Sequence, residues 1–291
     1  MAQILRALVD KNLRHQNWIS DIPVRFTEEV LMGMIEEYAE FCFELRRQGK
    51  VVDDVPDHFK GIDLSTAYAI QDRLVSKLLA QHGGHKIGYK IGCTSVGAQK
   101  LLNTDGPVYG QMLSAWQHQS PSRLRAADFT MMVIEPEFAF RVGQSVPTGA
   151  YDADSIRPFI GSVIASIEIV HHRLGEWSRF DAPTVIADNA IHGAWIVGEA
   201  TRQWQGLPLA EHEVRLYADD VLVSSGEGSV VLGNPLRAMA WIANMLPLYG
   251  HALQAGDVVT TGVCMAVYGA QAEERIRADF GSLGCVEVVF V

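Results

Sequence analysis

The chain lacks the features that mark membrane, nucleic-acid-binding and disulfide-rich proteins. No stretch reaches the roughly 18 consecutive apolar residues that a membrane-crossing helix needs, and the N-terminus shows no apolar run with a small-residue cleavage site. With a formal net charge of −10, the chain has no basic surface for nucleic acid or anionic lipid. Its four cysteines form no Cys-X-X-Cys pair, which argues against a disulfide framework or a zinc cluster. We therefore expect a cytoplasmic protein with a small-molecule substrate and with no nucleic-acid or membrane partner.

The composition is that of a globular protein, and the chain starts with helical patterns. Hydrophobic residues make up 48% of the 291 positions and charged residues 20%, which argues against disorder. Apolar residues at helical spacing predict one helix over 27–48, with Thr27 as its N-cap. The same spacing predicts a second helix over 64–81, capped by Asp63 or Ser65.

Further along the chain, short β-type runs separated by glycine replace these helices. Strands are predicted at 86–92, 132–142, 164–170, 194–198, 213–224, 257–262 and 285–291. Helices are predicted from the N-cap Asn234 to Gly250 and near 152–163. Many short strands with few helices are typical of an α+β fold built around a sandwich or roll. We expect residues 1–82 to form an N-terminal helical region and residues 83–291 to form a β-rich domain.

Two glutamates one residue apart occupy the apolar run Ile134-Glu135-Pro136-Glu137-Phe138. On a strand their side chains project the same way, and Glu168 lies in a similar apolar run. Three converging carboxylates repel one another unless a cation neutralises them, and all-oxygen ligation favours Mg²⁺ or Mn²⁺ over zinc. A solvated outer face with surface ion pairs is the alternative that these residues leave open. Pro136 forbids a ladder hydrogen bond and predicts a sheet edge or a bulge.

Other polar residues lie in settings that suit a binding site. Lys90 stands between two glycines of an apolar strand, where it can bind a carboxylate or exchange a proton, although its amine can equally reach the surface. Asp188 and Asn189 suit either a turn near a site or an ordinary Asx-turn. His192, three residues past Asn189, is a candidate for substrate contact. No Gly-X-Ser-X-Gly motif is present, so a Ser-His-Asp triad is not inferred.

Five segments occur together in the order seen in one protein family. They are Gly88-Tyr89-Lys90-Ile91-Gly92-Cys93-Thr94-Ser95, Ile134-Glu135-Pro136-Glu137-Phe138-Ala139-Phe140, Ile167-Glu168-Ile169-Val170, Ala187-Asp188-Asn189-Ala190 and Leu232-Gly233-Asn234-Pro235-Leu236. Over roughly residues 50–291 the chain resembles the 2-keto-4-pentenoate hydratase and 4-oxalocrotonate decarboxylase group of the fumarylacetoacetate hydrolase superfamily. The resemblance implies that superfamily's C-terminal-like β-sandwich or roll with flanking helices.

The resemblance also implies a divalent-metal lyase for 2-oxo-enoate or 2-hydroxydienoate acids, of the type met in meta-cleavage degradation of aromatic compounds. Carried over by position, Glu135, Glu137 and Glu168 would bind Mg²⁺ or Mn²⁺, and Lys90 would be the catalytic lysine. A 2-oxo acid can chelate such an ion through its carboxylate and keto oxygens, and the ion then stabilises an enolate. The residues expected to bind the substrate are Val108, Asp188, Asn189, His192, Thr261 and Gly262.

The chain departs from the family pattern at Val108, where the hydratase branch usually has an acid and the decarboxylase branch an aliphatic residue. Water addition needs a group that manages the proton of water, so Val108 favours decarboxylation of a 2-oxo-enedioate such as 4-oxalocrotonate. The segments 224–228 and 233–235 are more similar to the hydratase branch, which keeps hydration of 2-hydroxypenta-2,4-dienoate open. Family members commonly have serine after Ala190, so Ile191-His192 indicates an altered substrate pocket.

Two other functions stay open at this point. One is hydrolysis of an acylpyruvate carbon–carbon bond, which needs an activated water, and the sequence offers no convincing His–Glu pair for it. The other is a non-catalytic structural subunit, because decarboxylases of this group associate with their hydratase partners. The four intact charged residues of the expected site argue against that role, since burying charge is unfavourable without a function. The resemblance implies a homo-oligomer that also associates with a related hydratase or decarboxylase subunit.

Overall fold

The computed structural model describes residues 28–175 and 180–291. Its helices are α1 (Glu28–Gln48), α2 (Leu64–His82), α3 (Val96–Leu101), α4 (Ala182–Ala187) and α5 (Pro235–Met245). Its strands are β1 (Lys86–Gly92), β2 (Val108–Leu113), β3 (Gln117–Gln119), β4 (Ser122–Leu124), β5 (Val133–Val142), β6 (Ile160–Val170), β7 (His192–Thr201), β8 (Glu213–Ala218), β9 (Val221–Glu227), β10 (Val258–Thr260), β11 (Tyr268–Gly269), β12 (Arg275–Asp279) and β13 (Cys285–Phe290). The expected N-cap Thr27 lies outside the described residues.

The strands form two sheets with one large core. The larger sheet has the order β2-β1-β10-β5-β6-β7-β3, with β11 also paired to β5, and the smaller sheet has the order β4-β13-β12-β8-β9. Side chains from both sheets and from α5 share one hydrophobic core, which includes Phe138, Phe140, Ile167, Ile196, Met239, Ile276 and Val288. Because apolar residues alternate along these strands, each sheet buries one face in this core. The expected α+β fold with a β-sandwich is confirmed.

The N-terminal helices pack against each other, and α2 also packs against α4 and against strand β2 of the larger sheet. Asp63 caps α2 as expected, since its side chain accepts the N–H of Thr66. The apolar stripes of α1 and α2 pack together, and Tyr38 stacks on Phe59 with ring centroids 4.1 Å apart. Val185 of α4 belongs to the same apolar cluster, so these helices contact the β-rich part directly. The boundary between residues 82 and 83 stays a prediction. Among the described helices, none is both long and apolar enough to cross a membrane.

The prediction of a helix near 152–163 is wrong. Residues there form turns and a short 3₁₀ helix at Arg157–Phe159, and strand β6 already begins at Ile160. The Asp152 side chain accepts the backbone N–H groups of Asp154 and Ser155. Such local side-chain bonds compete with the helical hydrogen-bond pattern. The strand expected over 213–224 is a hairpin, β8 and β9, which turns at residues 219–220.

The predicted sheet edge or bulge at Pro136 is wrong, because β5 is not an outer strand and it pairs with β6 without a register shift at this residue. Strand β5 is central, with β6 on one side and both β10 and β11 on the other. However, β10 pairs as far as Ala139 and β11 begins opposite Ile134, which leaves a gap beside residues 135–138. The Cys264 N–H donates to the Pro136 carbonyl across this gap. Since the N–H and C=O of a strand residue point to the same side, the missing N–H of Pro136 faces the gap and breaks no strand pair.

Candidate metal centre

The three glutamates meet on one face of the larger sheet. Glu135 and Glu168 lie directly opposite each other on the antiparallel strands β5 and β6, and Glu137 follows on the same side of β5. Each offers a carboxylate oxygen, and these three oxygens lie within 4.8 Å of one another. Glu137 and Glu168 are fully buried, and Glu135 is partly buried. Strand alternation and sheet register therefore bring the three carboxylates together, as expected. Their role as metal ligands stays a prediction.

The electrostatics of this cluster suit a hard cation. Burial raises the pKa of Glu135 to about 7, with Lys90 opposing and Glu168 adding to the rise. Burial and the charges of Glu168 and Glu135 also raise the pKa of Glu137. Among the described residues, Glu137 Oε1 and Glu168 Oε2 are buried without a hydrogen-bond partner. Buried polar atoms without partners are rare, and carboxylate oxygens are ligands for Mg²⁺ and Mn²⁺, so the residues fit such an ion.

The loop after β10 fixes the orientation of Glu137. The N–H of Gly262 donates to Glu137 Oε2 over 2.8 Å, and the Thr261 hydroxyl donates to the Phe138 carbonyl over 2.8 Å. Gly262 has φ +95°, and a Cβ there would lie 2.1 Å from the Thr94 hydroxyl oxygen. Only glycine fits this position without strain. Thr261 and Gly262, both expected to bind substrate, thus lie beside the carboxylates, and Thr94 joins them without having been identified from sequence.

Lys90 brings a buried amine to the same place. Its Nζ lies 3.3 Å from Glu168 Oε1 and donates to the Ala190 carbonyl over 3.2 Å. Burial alone lowers the pKa of Lys90, but the nearby carboxylates, Glu168 first, outweigh it and hold the pKa above the ordinary value. The amine is therefore an ammonium group. The expected surface alternative for Lys90 is wrong, since its side chain is only 4% exposed.

His192 pairs with Glu168, a contact that sequence analysis missed. Its Nδ1 lies 2.8 Å from Glu168 Oε1, and both side chains are buried. Burial raises the pKa of Glu168, but Lys90 and this hydrogen bond outweigh it, so the net shift is downward and the carboxylate is ionised. An ionised carboxylate only accepts, so His192 donates to Glu168 from its Nδ1. The expectation that no His–Glu pair exists is therefore wrong.

The backbone between Asp188 and His192 adopts an unusual conformation. Asn189, Ala190 and Ile191 have φ values of 53°, 47° and 55°, three successive residues in the left-handed region. Each such residue costs about 1–3 kcal/mol, and a β-branched isoleucine is a clear outlier there. The Asn189 side chain accepts the Gln111 N–H over 2.7 Å and donates to its carbonyl over 2.8 Å. We call residues 189–191 the left-handed turn.

Asp188 and Val108 have different surroundings from the other expected substrate-binding residues. Arg46 Nε donates to Asp188 Oδ1 over 2.7 Å, and Arg173 Nη1 lies 3.4 Å from Asp188 Oδ2. Both carboxylate oxygens of Asp188 therefore face guanidinium groups rather than the glutamates.

Val108 is buried on β2 opposite Gly92, and a Cβ on Gly92 would lie 3.7 Å from Val108 Cγ2 and 3.6 Å from Lys90 Nζ. Val108 thus brings an apolar surface close to the ammonium group.

His171 lies beside Arg173 and Asp188, and its surroundings in the folded chain keep its imidazole ring neutral. The Thr130 N–H donates to its Nε2 over 3.0 Å, and Arg173 Nη2 lies 2.9 Å from its Nδ1. Burial lowers the pKa of His171, and Arg173, Arg46 and His172 lower it further, to about 2. The ring is neutral in the folded chain. In the unfolded chain its pKa returns to about 6.5, so unfolding below that pH takes up a proton.

We expect protonation of His171 to lower the free energy of unfolding as pH falls below 6.5, because this proton binds the unfolded chain preferentially. The His171 contribution is complete above the unfolded pKa and is lost by about 1.4 kcal/mol per pH unit below it, or about 2 kcal/mol by pH 5. His171→Gln cannot gain this proton and should show a shallower pH dependence in urea unfolding. His58→Gln removes an exposed histidine and is the control. Equal slopes for wild type and His171→Gln would contradict the assignment.

Solved structures share this fold. A 4-oxalocrotonate decarboxylase from Pseudomonas putida G7, solved with magnesium and adipate, superimposes with a TM-score of 0.84 and 22% identity, covering 89% of this chain and 98% of that one. A fumarylpyruvate hydrolase from Pseudomonas aeruginosa, solved with Mn²⁺ and pyruvate, has a TM-score of 0.56 and 14% identity, covering 72% and 90%. At these identities the likeness establishes the fold.

Sequence comparisons place the chain in a family. The 2-keto-4-pentenoate hydratase 1 of Dechloromonas aromatica is 30% identical over 243 residues, covering 83% of this chain and 91% of its own. The 2-keto-4-pentenoate hydratase of Burkholderia vietnamiensis is 29% identical over 247 residues, covering 85% and 94%. Residues 100–291 match the model of the fumarylacetoacetate (FAA) hydrolase C-terminal family. The chain therefore belongs to this family, within its 2-keto-4-pentenoate hydratase and 4-oxalocrotonate decarboxylase group.

Proposed function

We propose that the protein is a divalent-metal-dependent lyase that acts on conjugated 2-oxo acids or their 2-hydroxydienoate tautomers. The observation that carries this proposal is the convergence of three carboxylate oxygens within 4.8 Å, next to a buried ammonium group. Glu135, Glu137 and Glu168 would hold Mg²⁺ or Mn²⁺. When bound, such an ion supplies positive charge to the carboxylate and keto oxygens of a 2-oxo acid.

The residues of the chain itself supply the remaining chemistry. Lys90 holds a proton in a dry setting, where it can stabilise negative charge that develops on the substrate or give up that proton. The Ala190 carbonyl and Glu168 fix the direction of its amine. His192 orients Glu168 through its Nδ1–H. Gly262 does the same for Glu137 through its backbone N–H, which keeps the carboxylates preorganised.

Decarboxylation of a 2-oxo-enedioate is the reaction we propose first. The bond to the departing carboxylate breaks, its electron pair moves along the conjugated chain to the 2-oxo group, and CO₂ leaves. This requires an electron sink at the 2-oxo group and a proton for the enolate that forms there. It requires no group that activates water. The apolar Val108 near Lys90 supports this choice, because it offers no site for managing the proton of a water molecule.

Hydration of 2-hydroxypenta-2,4-dienoate is the second candidate. The contact of His192 Nδ1 with Glu168 favours it, because a neutral imidazole that donates through Nδ1 can take a proton from water at Nε2. The names of the similar hydratases support it as well. The same His–Glu pair removes the argument against acylpyruvate hydrolysis, which we rank third. A non-catalytic subunit is ranked last because the buried charges are intact.

A product assay tests these alternatives. Purified protein with Mg²⁺ is incubated in ¹⁸O-labelled water with 4-oxalocrotonate, with 2-hydroxypenta-2,4-dienoate and with an acylpyruvate. We expect CO₂ release in proportion to the loss of 4-oxalocrotonate. A 4-hydroxy-2-oxo acid carrying ¹⁸O, without CO₂, would replace the first candidate with the second, and pyruvate from the acylpyruvate would replace it with the third. No turnover of any substrate would contradict a lyase role.

We further propose a cytoplasmic homo-oligomer that associates with a related hydratase or decarboxylase subunit. All four cysteines are free thiols, which supports a reducing compartment. We also propose that residues 1–82 act as a helical region attached to a catalytic domain at 83–291. Size-exclusion chromatography with light scattering, alone and with a related subunit, measures the assembly.

A further inference from the structure

The residue that links the N-terminal helices to the site is Arg46, in the last turn of α1. Its side chain is only 6% exposed, and its guanidinium group makes three directed contacts. Nε donates to Asp188 Oδ1 over 2.7 Å, Nη2 donates to the Asp188 carbonyl over 2.7 Å, and Nη1 donates to the His192 carbonyl over 3.3 Å. A planar guanidinium with five donors can hold several acceptors in a fixed arrangement.

These contacts bracket the left-handed turn. Asp188 immediately precedes residues 189–191 and His192 immediately follows them, so one side chain binds the carbonyl groups at both ends of the turn. A strained segment persists only when its surroundings hold it in place. Arg46 also lies over the Trp116 ring at 5.7 Å, and that ring lies 6.0 Å from the His192 imidazole. The end of α1 therefore contacts the His192 carbonyl directly and reaches the His192 ring through Trp116.

The position of the left-handed turn determines two contacts of the proposed site. Its Ala190 carbonyl accepts the Lys90 ammonium, and His192 at its end donates to Glu168. We propose, resting on the function proposed above, that Arg46 is a positioning residue that holds the left-handed turn so that Lys90 and Glu168 are correctly oriented. Arg46 lies outside the part of the chain that matches the family model, and it is 142 residues from Asp188 and 146 residues from His192 along the chain.

Removing Arg46 should leave a folded protein. The buried cluster contains two guanidinium groups and one carboxylate, so Arg46→Ala leaves Arg173 to pair with Asp188. This avoids the uncompensated buried charge that normally makes such a change severe. Arg46→Lys is the second variant, since it keeps the charge but cannot reach all three acceptors. Arg47→Ala is the matched control, because the neighbouring Arg47 pairs only with Glu44 on the surface among the described residues.

The first readout needs neither metal nor substrate. In the imidazole ¹H–¹⁵N spectrum of the metal-free protein, the His192 resonance is identified by its absence from His192→Gln. We expect this resonance to shift or disappear in Arg46→Ala and Arg46→Lys, because the bond to Glu168 is lost, and to stay in place in Arg47→Ala. A His192 resonance at the wild-type position in both Arg46 variants overturns the inference, whatever the enzyme's reaction is.

The second readout is turnover per folded molecule, with the folded fraction taken from circular dichroism. A misplacement of about 1 Å costs on the order of 100-fold, so we expect kcat to fall by about that factor in Arg46→Ala, while Arg47→Ala matches wild type. Millimolar guanidinium ion should restore part of the activity to Arg46→Ala and none to Arg46→Lys, whose side chain fills the space. An unchanged kcat in Arg46→Ala overturns the inference. Inactive wild type would overturn the proposed function, and the spectrum would still decide the role of Arg46.

Discussion

Replacing Glu137 with glutamine is expected to remove the protein's response to Mg²⁺ and Mn²⁺ together with its turnover. Changes to groups that merely support metal ligands cost about 10–100-fold in affinity, so loss of a ligand should weaken metal binding by more than about 100-fold. The amide is nearly the same size, and its oxygen can still accept the Gly262 N–H. It also removes one of three mutually repelling carboxylates, so the metal-free variant should be at least as stable as wild type.

Thermal unfolding and calorimetry together measure this effect. A ligand that binds only the folded chain raises its stability, so Mg²⁺ should raise the Tm of wild type and leave that of Glu137→Gln unchanged. Calorimetric titration should detect binding to wild type alone. Glu199→Gln, which changes an exposed glutamate on β7, is the control and should behave as wild type. Equal uptake of metal by Glu137→Gln and wild type would show that the ligands are assigned wrongly.

Replacing Lys90 with methionine should separate turnover from metal binding. Loss of a positioned proton donor or acceptor costs about 10²–10⁴-fold in rate, and we expect kcat to fall within that range. Mg²⁺ affinity should be kept or increased, because a positive charge 3.3 Å from Glu168 no longer opposes the incoming cation. Methionine fills a similar volume in the buried position, which limits the loss of packing.

The matched control is Lys100→Met, which removes an exposed lysine from α3. It should keep both kcat and metal affinity. In Lys90→Met, a kcat within tenfold of wild type would exclude Lys90 from the reaction. Loss of Mg²⁺ binding in Lys90→Met would instead show that the lysine maintains the carboxylate cluster. Glu137→Gln and Lys90→Met would then both lose turnover because they no longer bind the metal.

Local patterns in the sequence predicted much of the fold and part of the candidate site. Strand alternation put Glu135 and Glu137 on one side, and the cap Asp63 and the helical spacing located α2. These features depend on residues close together in the chain. The apolar run around Glu168 added a third acid to this pair, the resemblance then added Lys90, and the structure brings all four together.

The parts that sequence did not predict depend on distant contacts. The His192–Glu168 bond follows from the pairing of β6 with β7, and no local motif encodes that register. The left-handed turn contains no glycine, and only Asn189 among its residues is a type that favours positive φ, so the sequence does not indicate that Ala190 and Ile191 follow it there. Arg46 looked like an ordinary basic residue at a helix end, where positive charge is common. Its role becomes visible only in three dimensions.

The alternation along β5 has a consequence for folding. Its odd-numbered residues Glu135 and Glu137 face the candidate metal centre, while its even-numbered neighbours Phe138 and Phe140 fill the core between the sheets. A shift of one residue in the pairing of β5 with β6 would place the two glutamates in the hydrophobic core and the two phenylalanines on the opposite face of the sheet. Such a mispaired intermediate is strongly disfavoured. The native register thus places the aromatic rings in the core and Glu135 opposite Glu168 at the same time.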